Sequence, residues 1–337
     1  MLNFDEDRFV ESQVGAVSVA EALYEVIVER LGSGAENLFF AGSGGAGILM
    51  WPAADLLARR SGFLTLSERP AELVAAGSVH LGENSIVVIP SRSGDTPESL
   101  EIVKYAKALG ASIITFTGTP DSPLAEQADA NFTNPVADDN SSESFYIQSL
   151  LLALAVMDVR GELQDHAGLV RELKLLPALL LEAKRSFEDE AEQMAEGIAA
   201  APYHIISSAG SSWPEAFYYG MCILEEMQWI RTRPVHAADF FHGPLELVEP
   251  GVSCLLMKGE DWSRPLVERV EQFVRTYSDR LMLLDTTSVS LPGISEVTRA
   301  LISPVLLATL LERVSAHLEL KRDHPLTTRR YYRAVKY

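Results

Sequence analysis

The sequence is short of cysteine, of basic residues and of long apolar runs, and each shortage excludes something. Cys222 and Cys254 are the only cysteines in 337 residues. Neither has CxxC or metal-ligand spacing and both sit in apolar stretches, so they read as buried thiols. No metal site is expected, and cysteine usage this sparse suits the cytoplasm. Lys and Arg number 28 against 47 Asp and Glu, a net charge of −19. Such a surface repels a phosphate backbone, which argues against nucleic acid as a partner. The one basic patch is Arg329-Arg330 near the C-terminus. The longest uninterrupted apolar run, Ser149 to Val156, falls far short of the roughly 20 residues a membrane helix needs. The acidic start, MLNFDEDRFVESQ, has no apolar signal-peptide core. No membrane partner is expected.

What is present is ordinary globular composition, long enough for two domains. Val17, Ala20, Leu23, Tyr24, Ile27, Val28 and Leu31 recur at helical spacing, predicting one amphipathic helix to about Gly32. Asn37–Ala41, Phe63–Ser67, Ser85–Pro90 and Ser112–Thr117 read as strands, each followed by a turn or helical pattern. The stretch from Ser142 to about Ala200 is almost continuously helical in pattern. Strands then resume at Tyr203–Ser208, Val252–Met257 and Arg280–Asp285. Strands alternating with helices predict a parallel sheet covered on both faces.

The two halves repeat. Ala41 to Ser208 and Pro90 to Met257 are both offsets of 167, and Ile113 to Leu281 is 168. This predicts an internal duplication: two tandem doubly wound, flavodoxin-like α/β domains, three-layer αβα. The expected bounds are 1–160 for the first domain, 161–200 for a helical connection, 201–320 for the second domain and 321–337 for a tail closing on the site. The copies differ. After its third strand the first carries Ser91-Arg-Ser-Gly-Asp-Thr96, the second Lys258-Gly-Glu-Asp-Trp262 without those hydroxyls.

Strand–SRSGDTP–helix suits an anion. Ser91, Ser93 and Thr96 offer hydroxyls, Gly94 allows a sharp turn, and Pro97 starts a helix whose free N–H groups and dipole favour negative charge. A plain Ser/Gly/Asp turn capping a helix leaves the same pattern. Gly42-Ser-Gly-Gly-Ala-Gly47 matches GxGxxG after a strand, with Glu68 downstream, as a dinucleotide site asks. A second hydroxyl-rich loop is not needed for a dinucleotide. Close approach of backbone to a compact ligand is the simpler explanation of these glycines.

Ser212 to Ile230 reads as a buried helix that opens on a capping box, Ser212-x-x-Glu215. It carries Glu226, whose helical neighbours would be Cys222, Ile223, Trp229 and Ile230. A carboxylate buried there would have a raised pKa suited to proton transfer; a structural ion pair with Arg231 or Arg233 is the alternative. His242, in Phe240-Phe-His-Gly-Pro-Leu-Glu246, is held in a turn, as a structural or a catalytic histidine.

With SRSGDTPESL, Glu226 and FFHGPLE sixteen residues beyond that acid, the chain resembles the SIS (sugar isomerase) family over nearly its whole length. It is similar to the isomerase half of glutamine–fructose-6-phosphate amidotransferase. As a stand-alone two-repeat chain it looks most like the fructosamine-6-phosphate deglycases. The resemblance implies an enzyme that takes a small sugar phosphate and needs no metal, nucleotide or other cofactor. It implies that Ser43, Ser91, Arg92, Ser93 and Thr96 hold the phosphate, with the backbone of Gly42 and Gly44. It gives Glu226 the proton transfer between C1 and C2, and His242 ring opening and general acid catalysis. Ser141, His324 and Arg330 become further substrate contacts. Sites in this family lie at a dimer interface with the histidine from the neighbouring subunit, so a homodimer or higher homo-oligomer is expected. Two departures stand out. No leading glutaminase domain is present, and the tail Asp323-His-Pro-Leu-Thr-Thr-Arg-Arg-Tyr331 lacks the amidotransferase's catalytic lysine, with Arg330 at that position. An aminosugar-phosphate isomerase or deaminase would use the same acid and histidine, and a non-catalytic phosphosugar-binding protein would need only the loop.

Overall fold

Two parallel sheets organise the chain in the computed structural model, which describes residues 1–134, 142–332 and 334–336. The first contains β1 (Asn37–Ala41), β2 (Leu64–Glu68), β3 (Ser85–Ser91), β4 (Ser112–Thr117) and β5 (Ala130–Thr133), in the order β2-β1-β3-β4-β5. The second contains β6 (Tyr203–Ser208), β7 (Arg231–His236), β8 (Ser253–Lys258) and β9 (Arg280–Asp285), in the order β7-β6-β8-β9. Every pairing is parallel. Both sheets follow the doubly wound flavodoxin order, the second without its fifth strand. The strands β1, β3 and β8 are buried along their whole length, which is why they read as continuous apolar runs.

Two strands escape the sequence pattern. The segments Ala130-Asn-Phe-Thr133 and Arg231-Thr-Arg-Pro-Val-His236 are short, polar edge strands. Pro234 is tolerated in β7 because an edge strand pairs on one side only. The expected first helix is two, Glu6–Ser18 and Ala20–Gly32, parted at Val19.

By contacts the chain divides into two compact units. One holds residues 7–134 and 142–177, the other 1–6 and 178 onward. The first packs Phe39, Val87, Ile89, Ile102, Val103 and Ile113 against one another; the second packs Ile205, Phe240, Cys254, Leu256, Val267 and Val270.

The second unit's longest helix, Glu296–Lys321, corrects the expectation drawn from uninterrupted apolar runs. It is long and apolar enough to cross a membrane by composition, but most of it is buried inside the protein. Runs alone miss it because polar residues interrupt it, and those residues are paired. Arg313 is fully buried, with Nε 2.8 Å from Glu188 and Nη2 donating to the Leu2 carbonyl at 2.6 Å. Lys184, also buried, donates to Glu312 at 2.7 Å. Burial pushes the Glu188 carboxyl up, but Arg313 and the Leu2 N–H outweigh it and hold the group down at about 2. Buried charges with partners on several sides are the arrangement the interior tolerates.

His204 in β6 is fully buried with Nδ1 2.8 Å from Ser253 Oγ, and burial pushes its imidazole down to about 4. The unfolded chain therefore binds a proton below about pH 6.5 that the folded chain refuses. Stability from this group is complete above that pH and falls as pH drops from about 6.5 to 4, by at most about 1.4 kcal/mol per pH unit. Urea denaturation across this window should show that slope, reduced in His204→Gln; an unchanged slope would rule the histidine out as its source.

Candidate active site

The hydroxyl loop sits at the switch point of the first sheet. Strand order there reverses between β1 and β3, so the loops leaving their carboxyl ends diverge and open a crevice. Ser91, the last residue of β3, is buried, and its Oγ is 3.2 Å from Thr96 Oγ1 and accepts the Gly94 N–H at 3.1 Å. Gly94 has φ +67°, and a Cβ there would meet Ser122 Oγ at 2.1 Å, so glycine is required for conformation and for space. The loop is tied down by backbone bonds, Gly118 N–H to the Arg92 carbonyl and Leu124 N–H to the Gly94 carbonyl, each 3.0 Å. Thr96 is the N-cap residue and Pro97 starts the helix Pro97–Ala108, as expected. The Thr96 side chain makes no capping bond, so the hydroxyl is not spent on the helix it precedes. Ser93 donates to Asp95, while Arg92 is exposed.

The glycine turn after β1 has its own explanation. A Cβ on Gly47 would meet the Gly42 carbonyl oxygen at 2.2 Å, and one on Gly42 would meet Gly47 Cα at 2.5 Å and Pro90 Cγ at 2.8 Å. Gly42 and Gly47 press against each other, and Gly42 against the end of β3, whereas Gly44 has open space and needs glycine for its φ of +54°. Ser43 is the N-cap of the short helix Gly44–Ile48, and Gly44 is exposed beside it.

The acid of the second unit differs from its expectation. Ser212–Ile230 is not one α-helix. A 3-10 turn, Gly210–Ser212, leads into the α-helix Trp213–Tyr218 and then into a π-helix, Tyr219–Met227. Ser212 makes no capping bond, so the capping box fails. In a π-helix the bonds run i to i+5, as Gln228 N–H to the Ile223 carbonyl at 3.0 Å does here, and residues three and four apart no longer share one face. Glu226 is accordingly half-exposed, with 38% of its side-chain surface accessible, and not buried among Cys222, Ile223, Trp229 and Ile230. Among the described residues it forms an ion pair with Arg329, Nε to Oε1 at 3.0 Å, in place of the expected Arg231 or Arg233. Glu225 beside it accepts from Thr232 Oγ1 at 2.6 Å.

The tail that supplies Arg329 is fitted to the end of the π-helix. Gln228 Nε2 donates to the His324 carbonyl at 2.7 Å, and the His324 ring meets Trp229 edge-on with centroids 4.6 Å apart. The Arg330 guanidinium lies 4.1 Å over the Trp229 ring. The two arginines therefore divide their roles, Arg329 to the carboxylate and Arg330 to the indole.

His242 is exposed on a firmly held turn. Its N–H donates to the Asp239 carbonyl at 2.9 Å, while the preceding Phe240 is fully buried in the second unit's core. Phe241 stacks edge-on with Phe273, centroids 5.6 Å apart, under the guanidinium of Arg269. Among the described residues no group of three His, Cys, Asp or Glu could hold a metal ion. Ser141 lies outside the described residues.

Residues 34–158 match the SIS domain model. The chain is 30% identical over 307 residues to the fructosamine deglycase FrlB of Bacillus subtilis, covering 90% of this chain and 93% of that one. It is 29% identical to the fructoselysine 6-phosphate deglycase of Escherichia coli O157:H7, over 73% of this chain and 70% of the relative. A Bacillus subtilis candidate phosphosugar isomerase superposes with a TM-score of 0.89 at 28% identity, covering 96% of this chain and 99% of that structure.

The chain belongs to the SIS family.

Its two repeats differ in how the donors after their third strands are used. At the offset of 167, Thr96 corresponds to Ser263, likewise the N-cap residue of the following helix, Arg264–Tyr277. The second repeat therefore does not lack a hydroxyl there, contrary to expectation; the hydroxyl is occupied. Gly94 corresponds to Asp261. The Asp261 carboxylate accepts the Ser211 N–H at 2.7 Å, the Ser263 N–H at 2.8 Å and the Ser263 hydroxyl at 2.5 Å. Ser91 corresponds to Lys258, whose ammonium is held by Glu271 at 2.8 Å and Asp285 at 3.2 Å. The donors that an external anion would use are thus satisfied by the protein's own carboxylate. Asp261→Ala leaves these donors unpaired and should destabilise the fold by about 1–3 kcal/mol in thermal or urea denaturation. A loss below about 0.5 kcal/mol would show that the carboxylate is not needed there.

Proposed function

We propose that this SIS enzyme deglycates a fructosamine 6-phosphate, a 1-amino-1-deoxyketose 6-phosphate, giving glucose 6-phosphate and a free amine or amino acid. That the chain is an enzyme of phosphosugar chemistry follows from its nearly full-length similarity to a fructosamine deglycase. The observation that carries the finer assignment is Glu226: a half-exposed carboxylate, fixed by an arginine, in a chain that also presents an open hydroxyl loop at a switch point.

In this proposal the loop Ser91, Arg92, Ser93 and Thr96, with Ser43 and the Gly42–Gly44 backbone, binds the phosphate, the helix Pro97–Ala108 adding its N-terminal dipole. His242 assists ring opening of the ketoamine. Glu226 takes a proton from C1 as the C2 carbonyl oxygen is protonated, leaving an enaminol. The same carboxyl then returns a proton to C2, and the electron pair moves to make the C1–N bond an imine. Water adds to C1, and collapse of the carbinolamine expels the amine, protonated by His242, and leaves the aldehyde of glucose 6-phosphate. No redox change occurs, and no electron acceptor is needed. The exposed position of His242 supports an imidazole offered to the site of a neighbouring subunit in a homodimer.

Glucose 6-phosphate release from a panel of fructosamine 6-phosphates, with glucosamine 6-phosphate included, tests the proposal. Glu226→Gln should lower kcat about 10²–10⁴-fold with KM nearly unchanged, the range of a lost general base. Ser91→Ala should act mainly on KM. Ammonia release from glucosamine 6-phosphate alone would replace deglycation by deamination, and full turnover by Glu226→Gln would remove the acid–base assignment.

A further inference from the structure

The contact between the C-terminal tail and the end of the π-helix contains more unfavourable backbone than a surface contact needs. Trp229 stands at φ +54°, in the left-handed region that a bulky residue rarely enters, and Asp323 in the tail's opening turn stands at φ +49°. The nine-residue π-helix before them is itself an uncommon conformation, often found at functional sites. A partly exposed ion pair contributes too little to compensate for this. What the local structure achieves is the orientation of one guanidinium. Arg329 Nη1 donates to the carbonyls of Leu326 at 2.6 Å and Thr328 at 3.1 Å, so its plane is set from behind by the tail backbone. Its buried Nε lies 3.0 Å from Glu226 Oε1, an ion pair without the geometry of a hydrogen bond. The tail in turn is anchored by buried Leu326, whose N–H donates to Glu319 at 3.1 Å, and by the His324 and Arg330 contacts to the two sides of Trp229.

We propose that Arg329 is the positioning residue for proton transfer, holding the Glu226 carboxylate in one place through a tail clamped on Trp229. This rests on the proposed role of Glu226 as the base. A flexible lysine at the same point would supply charge but not a guanidinium held by the tail backbone. Among the described residues, the charged and titratable groups on the elements packed around Glu226 include Cys222 and Glu225 on the π-helix, Glu215 on the helix before it, Arg231 and Arg233 on the adjoining β7, and His324 and Arg330 with Arg329 on the tail. Arg329 among them lies 3.0 Å from the carboxylate.

The test compares Arg329→Gln and Arg329→Lys with the unaltered chain and with Glu226→Gln, using fructoselysine 6-phosphate as substrate and following thermal midpoints in parallel. Arg329→Gln should lower kcat at least about 10-fold with KM changed less than about 3-fold. It should also move the acidic limb of the kcat/KM–pH profile to higher pH, because the carboxylate loses its cation. Arg329→Lys should keep the limb near its original place while recovering only part of kcat. If Glu226→Gln is inactive but Arg329→Gln matches the unaltered chain in kcat and limb, the positioning role is overturned while Glu226 stands. If both arginine variants lose activity through KM or a fallen midpoint with the limb unmoved, the tail is merely structural and the proposal is likewise overturned. If Glu226→Gln itself turns over normally, the failure lies with the proposed function.

Discussion

The constraint on which most of this molecule depends is the one-way geometry of a parallel sheet. Each crossover must leave a strand at its carboxyl end and return by a right-handed path, so loops gather along one edge. Between β1 and β3 the order reverses and the loops part. The same edge requires the glycine turn to fold tightly enough to clear the β3 loop, and Gly42, Gly47 and Pro90 are in mutual contact there for that reason. Of the glycines that look like a dinucleotide signature, Gly42 and Gly47 are explained by this packing and Gly44 by its positive φ.

Duplication delivered that geometry twice, and the second copy has been closed from within. A single position separates the two outcomes. Gly94 leaves the first repeat's turn without a side chain, whereas Asp261 places a carboxylate among the equivalent donors. Lys258 in place of Ser91 does not restore an anion site, since Glu271 and Asp285 neutralise it. Glu226 and His242, the residues proposed for proton transfer, lie in this second repeat and not in the first.

Sequence pattern reveals these features unevenly, for physical reasons. The central strands are legible because burial on both faces leaves only apolar residues, and the 167-residue offset follows from them. The edge strands β5 and β7 are not legible, because one-sided pairing admits Arg231, Arg233 and Pro234. Glu226 is found as a candidate because it is a carboxylate in an apolar segment and by the family resemblance, but its surroundings are misjudged. Reading its neighbours assumes 3.6 residues per turn, and no residue type in Tyr219–Met227 announces a π-helix. Nor does the pair Arg329-Arg330 say which arginine reaches the acid. That depends on a turn at Asp323 and on which guanidinium the Trp229 ring intercepts.

The π-helix and the tail are therefore best considered together. A regular α-helix through Glu226 would put the carboxylate over the face that Cys222, Ile223 and Ile230 bury, where ionisation is disfavoured. The wider turn brings it to the edge, half in water. The tail places a guanidinium beside it without burying the group. Its arginine is already immobilised by the backbone carbonyls of Leu326 and Thr328, so little entropy remains to be lost when the ion pair forms. Accessibility and fixed orientation normally oppose each other in a carboxylate. In this chain the π-helix provides the first, and in the proposal above the tail's arginine provides the second.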